Sequence, residues 1–192
     1  MLRLNEMAES GFSPSSLNTY IENPINFFND HILRVKKPEE VKENPEARGI
    51  GIIFHNVMET LYKKYEGKQL EVEELELNLK NIDITLNNEF INEYGKNYER
   101  GKNIIIYQVL RDTIQKLIEN DIKKIKKGVE IKIIDIESKL ELNLITENLK
   151  IKYKLRGIVD RIQSEDGKII IIDYKTGLLE AHKLIFNDYN EL

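Results

Sequence analysis

The sequence contains no cysteine. That excludes a disulfide framework, a thiolate metal site and a cysteine nucleophile. No stretch approaches the roughly 20 apolar residues that a bilayer-spanning helix requires. The start of the chain lacks the basic-then-apolar layout of a secretory leader, because Glu6 and Glu9 stand where its apolar core would be. A cytoplasmic protein is the default expectation. Net positive charge is also missing: the formal charge is −4. This weighs against a protein that coats nucleic acid along its length, but not against an enzyme that meets a polyanion in one groove. What is present is ordinary for a globular protein, with 41% hydrophobic and 32% charged residues among 192. That length allows one sizeable core or two small ones.

No internal repeat or low-complexity linker divides the chain, so one domain over residues 1–192 is expected. Ser13-Pro14 is a helix start, with serine as cap and proline at the first helical position. The helix carries Leu17, Tyr20 and Ile21 and, beyond a kink at Pro24, Phe27, Phe28 and Ile32. Residues 36–48 read as a polar loop. From Ile50 to Tyr65, apolar residues recur at helical spacing (Ile50, Ile53, Phe54, Val57, Met58, Leu61, Tyr62, Tyr65), which predicts an amphipathic helix. Two further helices are expected over 72–94 and 102–127, the second ending before Gly128. Strand patterns follow over 129–145 and 150–163. Ser164-Glu165-Asp166-Gly167 is a turn signal, and Lys168 to Lys175 is read as the last strand. Residues 179–189 are read as the start of another helix. The order predicts an α+β (mixed α/β) fold, a mostly antiparallel sheet flanked by helices.

Three segments carry chemistry. In Lys168 to Lys175, four consecutive isoleucines predict a strand buried on both faces. Alternation puts Asp173 and Lys175 on one face at its end. From this segment alone two readings stay open, a catalytic pair or a salt bridge where the strand meets solvent. Asp160, in Gly157-Ile158-Val159-Asp160-Arg161, lies across from the region of Asp173 if the chain turns near Asp166. Converging carboxylates repel unless a cation sits between them, whereas pairing with Arg161 in solvent is the alternative. His55 and Glu59 are one helical turn apart, beside the apolar stripe. His55 could be aimed at the carboxylates or simply be hydrogen-bonded at the margin of the core, and Glu59 could be a solvated charge.

Each signal is modest alone, but their order is specific. Ser13-Pro14-Ser15-Ser16-Leu17 with Tyr20, Pro24 and Phe27 comes first. Gly51 with His55 and Glu59 follows, then Gly157-Ile158-Val159-Asp160-Arg161, and finally Asp173-Tyr174-Lys175-Thr176-Gly177. The set resembles the PD-(D/E)XK nuclease superfamily, specifically its RecB-like and AddB-like domains, over nearly the whole chain. The resemblance implies a restriction-endonuclease-like core. It also implies Mg²⁺ or Mn²⁺ held by His55, Asp160, Asp173 and the backbone carbonyl of Tyr174. Lys175 would position the attacking water and offset phosphate charge, with Asp160 and Asp173 also catalytic. Glu59 is ranked lower, as an outer support to the ligands or a structural cap.

Two departures stand out. Many relatives carry an iron–sulfur cluster whose first cysteine precedes the proline of the N-terminal helix. Here Asn23 precedes Pro24 and cysteine is absent, so no cluster is expected. The family's glutamine and tyrosine after the K-T-G segment are not matched, since no glutamine follows Gly177. The expectation is a piece of a longer protein, truncated at its C-terminal end. A stripe of Lys150, Lys152, Lys154 and Arg156 alternates with Leu149, Ile151, Tyr153 and Leu155. It is expected to guide the nucleic-acid backbone toward Asp160 while the apolar partners face the core, or else to be a solvated face. The resulting expectation is a metal-dependent (exo)deoxyribonuclease in DNA end processing or repair, acting on DNA beside a helicase and away from membranes. The alternatives are a CRISPR-associated nuclease that trims DNA ends, or a nuclease-like binding module without catalysis.

Overall fold

A computed structural model of the protein describes residues 2–35, 45–95, 102–145 and 152–177. Within these, six α-helices are followed by one three-stranded antiparallel sheet, so the fold is α+β. The helices are α1 (Leu2–Ser10), α2 (Pro14–Glu22), α3 (Pro24–Phe27), α4 (Pro45–Tyr62), α5 (Val72–Tyr94) and α6 (Lys102–Lys126). The strands β1 (Ile131–Ile145), β2 (Lys152–Glu165) and β3 (Lys168–Ile172) pair in the order β1-β2-β3.

The core forms where three helical stripes meet the first half of β1. Helix α5 contributes Leu75, Ile82, Leu86 and Phe90, and α6 contributes Leu110, Ile114, Ile118 and Ile122 at every fourth position. Helix α4 adds Ile53, Phe54, Val57, Met58, Leu61 and Tyr62, against Ile131, Ile133 and Ile136 of β1. Most of these side chains are almost completely buried, worth about 1.5–3 kcal/mol each relative to exposure. This packing makes α4 a rigid platform for whatever its flank carries.

Several expectations need correction. The first nine-residue helix, α1, has no strong apolar stripe and was not anticipated; only Met7 on it is buried. At Pro24 the chain breaks instead of kinking. Asn23 is extended (φ −158°), and its Oδ1 accepts from the Ile25 N–H at 2.9 Å, capping α3, which runs on into a π-helical turn. Helix α4 begins at Pro45, five residues before Ile50, because proline is tolerated in a first turn. It ends at Tyr62, and Lys63–Tyr65 form a 3₁₀ turn. The remainder of the 36–48 loop (36–44) and the helix expected over 179–189 lie outside the described residues.

The sheet differs most. β3 stops at Ile172, so Asp173 and Lys175 lie beyond the strand. Among the described residues the strand is an edge, not a doubly buried centre: Ile169 and Ile171 are each 61% exposed. Four isoleucines in a row record β-propensity here, and even the alternate Ile170 and Ile172 are only half-buried. The turn is confined to Asp166 and Gly167, both at positive φ as a two-residue hairpin loop demands. In the first half of β2, Tyr153 and Leu155 are only half-buried and neither joins the core, contrary to expectation. That half extends past β3, and its open edge is met by the N-terminal segment. Gly11, at φ +99°, turns the chain so that Phe12 pairs with Leu155, exchanging hydrogen bonds with the backbone of Lys154 and Arg156.

Candidate metal centre

His55 stands on the flank of α4 one position beyond the buried Phe54, and its side chain is 32% exposed. Its Nδ1 lies 3.2 Å from Oδ1 of Asp160 on β2. The second oxygen of Asp160 accepts a hydrogen bond from the backbone N–H of Tyr174. Phe54 and Tyr174 meet edge to face with ring centroids 5.5 Å apart, and Tyr174 also flanks His55 at 6.3 Å. The helix, the central strand and the segment after β3 therefore converge on Asp160. Two expected residues, His55 and Asp160, are brought into contact.

The third member of the cluster was not anticipated. Ligand-capable atoms of His55, Glu137 and Asp160 all lie within 4.8 Å of one another. Glu137 sits between the pairs Ile136–Arg161 and Ser138–Val159, at the level of Asp160. Its φ is +54°, a left-handed conformation that costs a glutamate about 1–2 kcal/mol. Lys63 and Glu66 grip the preceding residue: Lys63 Nζ donates to the Ile136 carbonyl at 2.9 Å, and the Ile136 N–H donates to Glu66 Oε1 at 3.1 Å. Burial pushes the Glu137 carboxyl above its usual range, and the charges of Asp160 and Glu59 push it further; His55 and Lys63 oppose them. In sequence, Glu137 reads as one more outward acid of an alternating strand. The register that pairs Ile145 with Lys152 and Ser138 with Val159 brings Glu137 level with Asp160, and nothing in the sequence alone fixes that register.

This donor set fits a divalent cation. An imidazole and two carboxylates supply about two negative charges, and the hard oxygen ligands suit Mg²⁺ or Mn²⁺. Ligands opposite each other around such an ion, at about 2.1 Å each, stand roughly 4.2 Å apart. The three ligand-capable atoms, within 4.8 Å of one another, already stand near that spacing.

Asp173 and Lys175 pair with each other. Their charged atoms are 2.6 Å apart and both side chains are about half-exposed. Asp173 follows Ile172, the partner of Arg161, which brings it to the level of Asp160, yet it is not a member of the His55–Glu137–Asp160 group. Glu59, half-buried one turn beyond His55, is near enough to raise the Glu137 carboxyl. Of the basic stripe, Lys152 and Arg156 are exposed, Lys154 is ion-paired to Glu141 at 3.0 Å, and Lys150 lies outside the described residues.

The α+β chain thus gathers a histidine and two acids beside a D-x-K segment. Residues 11–185 match the family model of the PD-(D/E)XK nuclease superfamily, and the chain belongs to that superfamily. It is similar to an uncharacterised protein of Rickettsia bellii (strain RML369-C), 29% identical over 189 residues that cover 95% of this chain and 21% of the relative. It is also similar to an uncharacterised protein of Rickettsia felis (strain URRWXCal2), 30% identical over 181 residues, 92% of this chain and 20% of the relative. The chain thus spans about a fifth of the length of these relatives. Among the described residues no helix is long and apolar enough to cross a membrane.

Proposed function

We propose that the chain is the nuclease domain of a longer protein, RecB-like or AddB-like in subtype, that hydrolyses DNA phosphodiester bonds with Mg²⁺ or Mn²⁺. The observation that carries this reading is the convergence of His55, Glu137 and Asp160 within 4.8 Å, beside the Asp173–Lys175 pair. When bound there, a divalent cation would supply Lewis-acid stabilisation of the phosphate and ease deprotonation of the attacking water.

The chain's own groups do the rest. His55, Glu137 and Asp160 hold the ion, and the Tyr174 N–H keeps one Asp160 oxygen occupied so that the other faces His55. Asp173 and the Tyr174 carbonyl are proposed as further ligands. Lys175 cannot be a ligand while protonated. It orients the water and offsets the charge that builds on the phosphoryl oxygens. Asp173, its ion-pair partner, keeps the ammonium at the site before substrate arrives. Glu59 supports the ligands through its field on Glu137. Lys152, Lys154 and Arg156, with Lys150, lead the DNA backbone toward Asp160. Exonucleolytic action in DNA end processing or repair, beside a helicase in the cytoplasm, is the setting proposed for this activity.

The test is cleavage of end-labelled single- and double-stranded oligonucleotides with Mg²⁺, Mn²⁺ or chelator, by wild type and Asp160→Asn. Metal-dependent cleavage that Asp160→Asn abolishes supports the reading. Folded wild-type protein that binds the oligonucleotides but cuts none with either metal overturns it in favour of a non-catalytic module.

A further inference from the structure

Lys63 and Glu66, just past α4, close over the outer edge of β1 and have no part in the roles above. Among the described residues β1 is an edge strand, so one row of its backbone groups points away from β2. The chain that leaves α4 pairs with the start of that row. The Gly67 N–H donates to the Ile133 carbonyl at 3.0 Å, the Ile133 N–H to the Lys68 carbonyl at 2.9 Å, and the Leu70 N–H to the Ile131 carbonyl at 2.8 Å. Beyond the register shift that follows Ile133, side chains continue the row. Lys63 Nζ donates to the Ile136 carbonyl at 2.9 Å, and the Ile136 N–H donates to Glu66 Oε1 at 3.1 Å. The same Glu66 oxygen stands 2.7 Å from Lys63 Nζ, which closes a ring of three contacts around Ile136.

Stability is a poor reason for this ring. The Lys63 and Glu66 side chains are 48% and 32% exposed, and an ion pair so open to water contributes little. Water serves the outward N–H and carbonyl of an edge strand equally well. What the ring constrains is conformation. The N–H and the carbonyl of Ile136 are both held, and the next residue is Glu137, at φ +54°. A glutamate in a strand otherwise favours the extended form. The ring also ties this bend to the helix that carries His55. Along one side of α4 and the 3₁₀ turn after it, His55, Glu59 and Lys63 recur at every fourth residue. One continuous element thus carries His55 and the hold on the residue before Glu137.

We propose that Lys63 and Glu66 are positioning residues: by clasping Ile136 they hold the left-handed bend that presents the Glu137 carboxylate to His55 and Asp160. The purpose of the clasp rests on the metal-site reading above, but the bend is measurable without metal or DNA. The variants are Lys63→Met, which keeps the stem and loses the donor, and Glu66→Ala, singly and together. In metal-free protein the HN–Hα coupling constant of Glu137, read by NMR, reports its φ. In the double variant it is expected to move toward the larger value of an extended strand, while those of Leu86 and Phe90 on α5 stay put. An unmoved value in the folded double variant would overturn the proposal. Should the double variant fail to fold, Lys63→Met alone is judged by the same constant: a smaller move in that direction supports the clasp, and no move overturns it. Mn²⁺ affinity separates the clasp from simple charge. If Lys63 acts only as a cation near the site, its removal should tighten Mn²⁺ binding, an outcome that overturns the proposal. Loss of the clasp should instead weaken binding by about 10–100-fold. In a Glu137→Gln background Lys63→Met should cost little more, because both changes act through one carboxylate; fully additive losses would overturn the proposal. Wild type that binds no Mn²⁺ would sink the metal reading and leave the coupling constant to judge the clasp.

Discussion

Glu137 bears two costs at once, a left-handed backbone and a carboxyl whose ionisation is opposed by burial and by Asp160. A carboxyl raised in the folded state favours folding below its unfolded pKa, and this contribution is lost as pH rises through the folded value. Ionising Glu137 is therefore a liability in metal-free protein. Glu137→Gln is expected to leave the thermal midpoint without metal unchanged or higher, while Mn²⁺ affinity falls at least about tenfold. Calorimetry of both proteins, with and without Mn²⁺, reads the two effects; a lower metal-free midpoint with intact affinity would make Glu137 a structural residue. Lys175 behaves oppositely. Its half-exposed pair with Asp173 contributes at most about 1 kcal/mol, so Lys175→Ala should fold and bind metal nearly as wild type. Its cleavage rate at saturating Mg²⁺ or Mn²⁺ should drop about 100-fold or more. Comparable rates would show that the ammonium has no chemical part.

Among the elements, α4, α5 and α6 were legible because their apolar residues recur every three or four positions over long stretches, a pattern that only a helix buries on one side. That His55 and Asp160 share a site was implied by the resemblance to the nuclease superfamily; spacing alone left His55 open between the carboxylates and the margin of the core. β3 was not legible. Ile169 and Ile171 read as core, but which faces of a strand are covered depends on its neighbours, and an edge position cannot be seen in composition. Glu137 escaped for a related reason: its meaning comes from register with β2, not from its own surroundings in the chain. The lysine stripe tests how far alternation can be trusted. Replacing Lys152 and Lys154 with glutamine, with oligonucleotide affinity followed across a salt series in Ca²⁺, should lower affinity. The slope of log K against log salt should become shallower by about 0.7–0.9 per lost phosphate contact. Glu141 already holds Lys154, so the Lys152 change should carry more of the effect. An unmoved slope with unmoved affinity would make the stripe a solvated face.

At the scale of the molecule, a helical core holds α4 against the sheet, and the cluster sits where that helix, β1, β2 and the segment after β3 meet. An ion held there by His55, Glu137 and Asp160 would tie α4, β1 and β2 together and bind only the folded state. Mn²⁺ at about 100 times its dissociation constant is expected to add about 2.7 kcal/mol to stability, seen as a chelator-reversible rise in thermal midpoint; a midpoint indifferent to Mn²⁺ would contradict a folded-state site. The most direct measurement is diffraction from crystals soaked in Mn²⁺, with anomalous scattering locating the ion. A peak is expected about 2.1 Å from the near atoms of His55, Glu137 and Asp160, and Asp160→Asn should remove it. A peak that none of these three side chains touches, or none at a Mn²⁺ concentration well above that which supports cleavage, would contradict it.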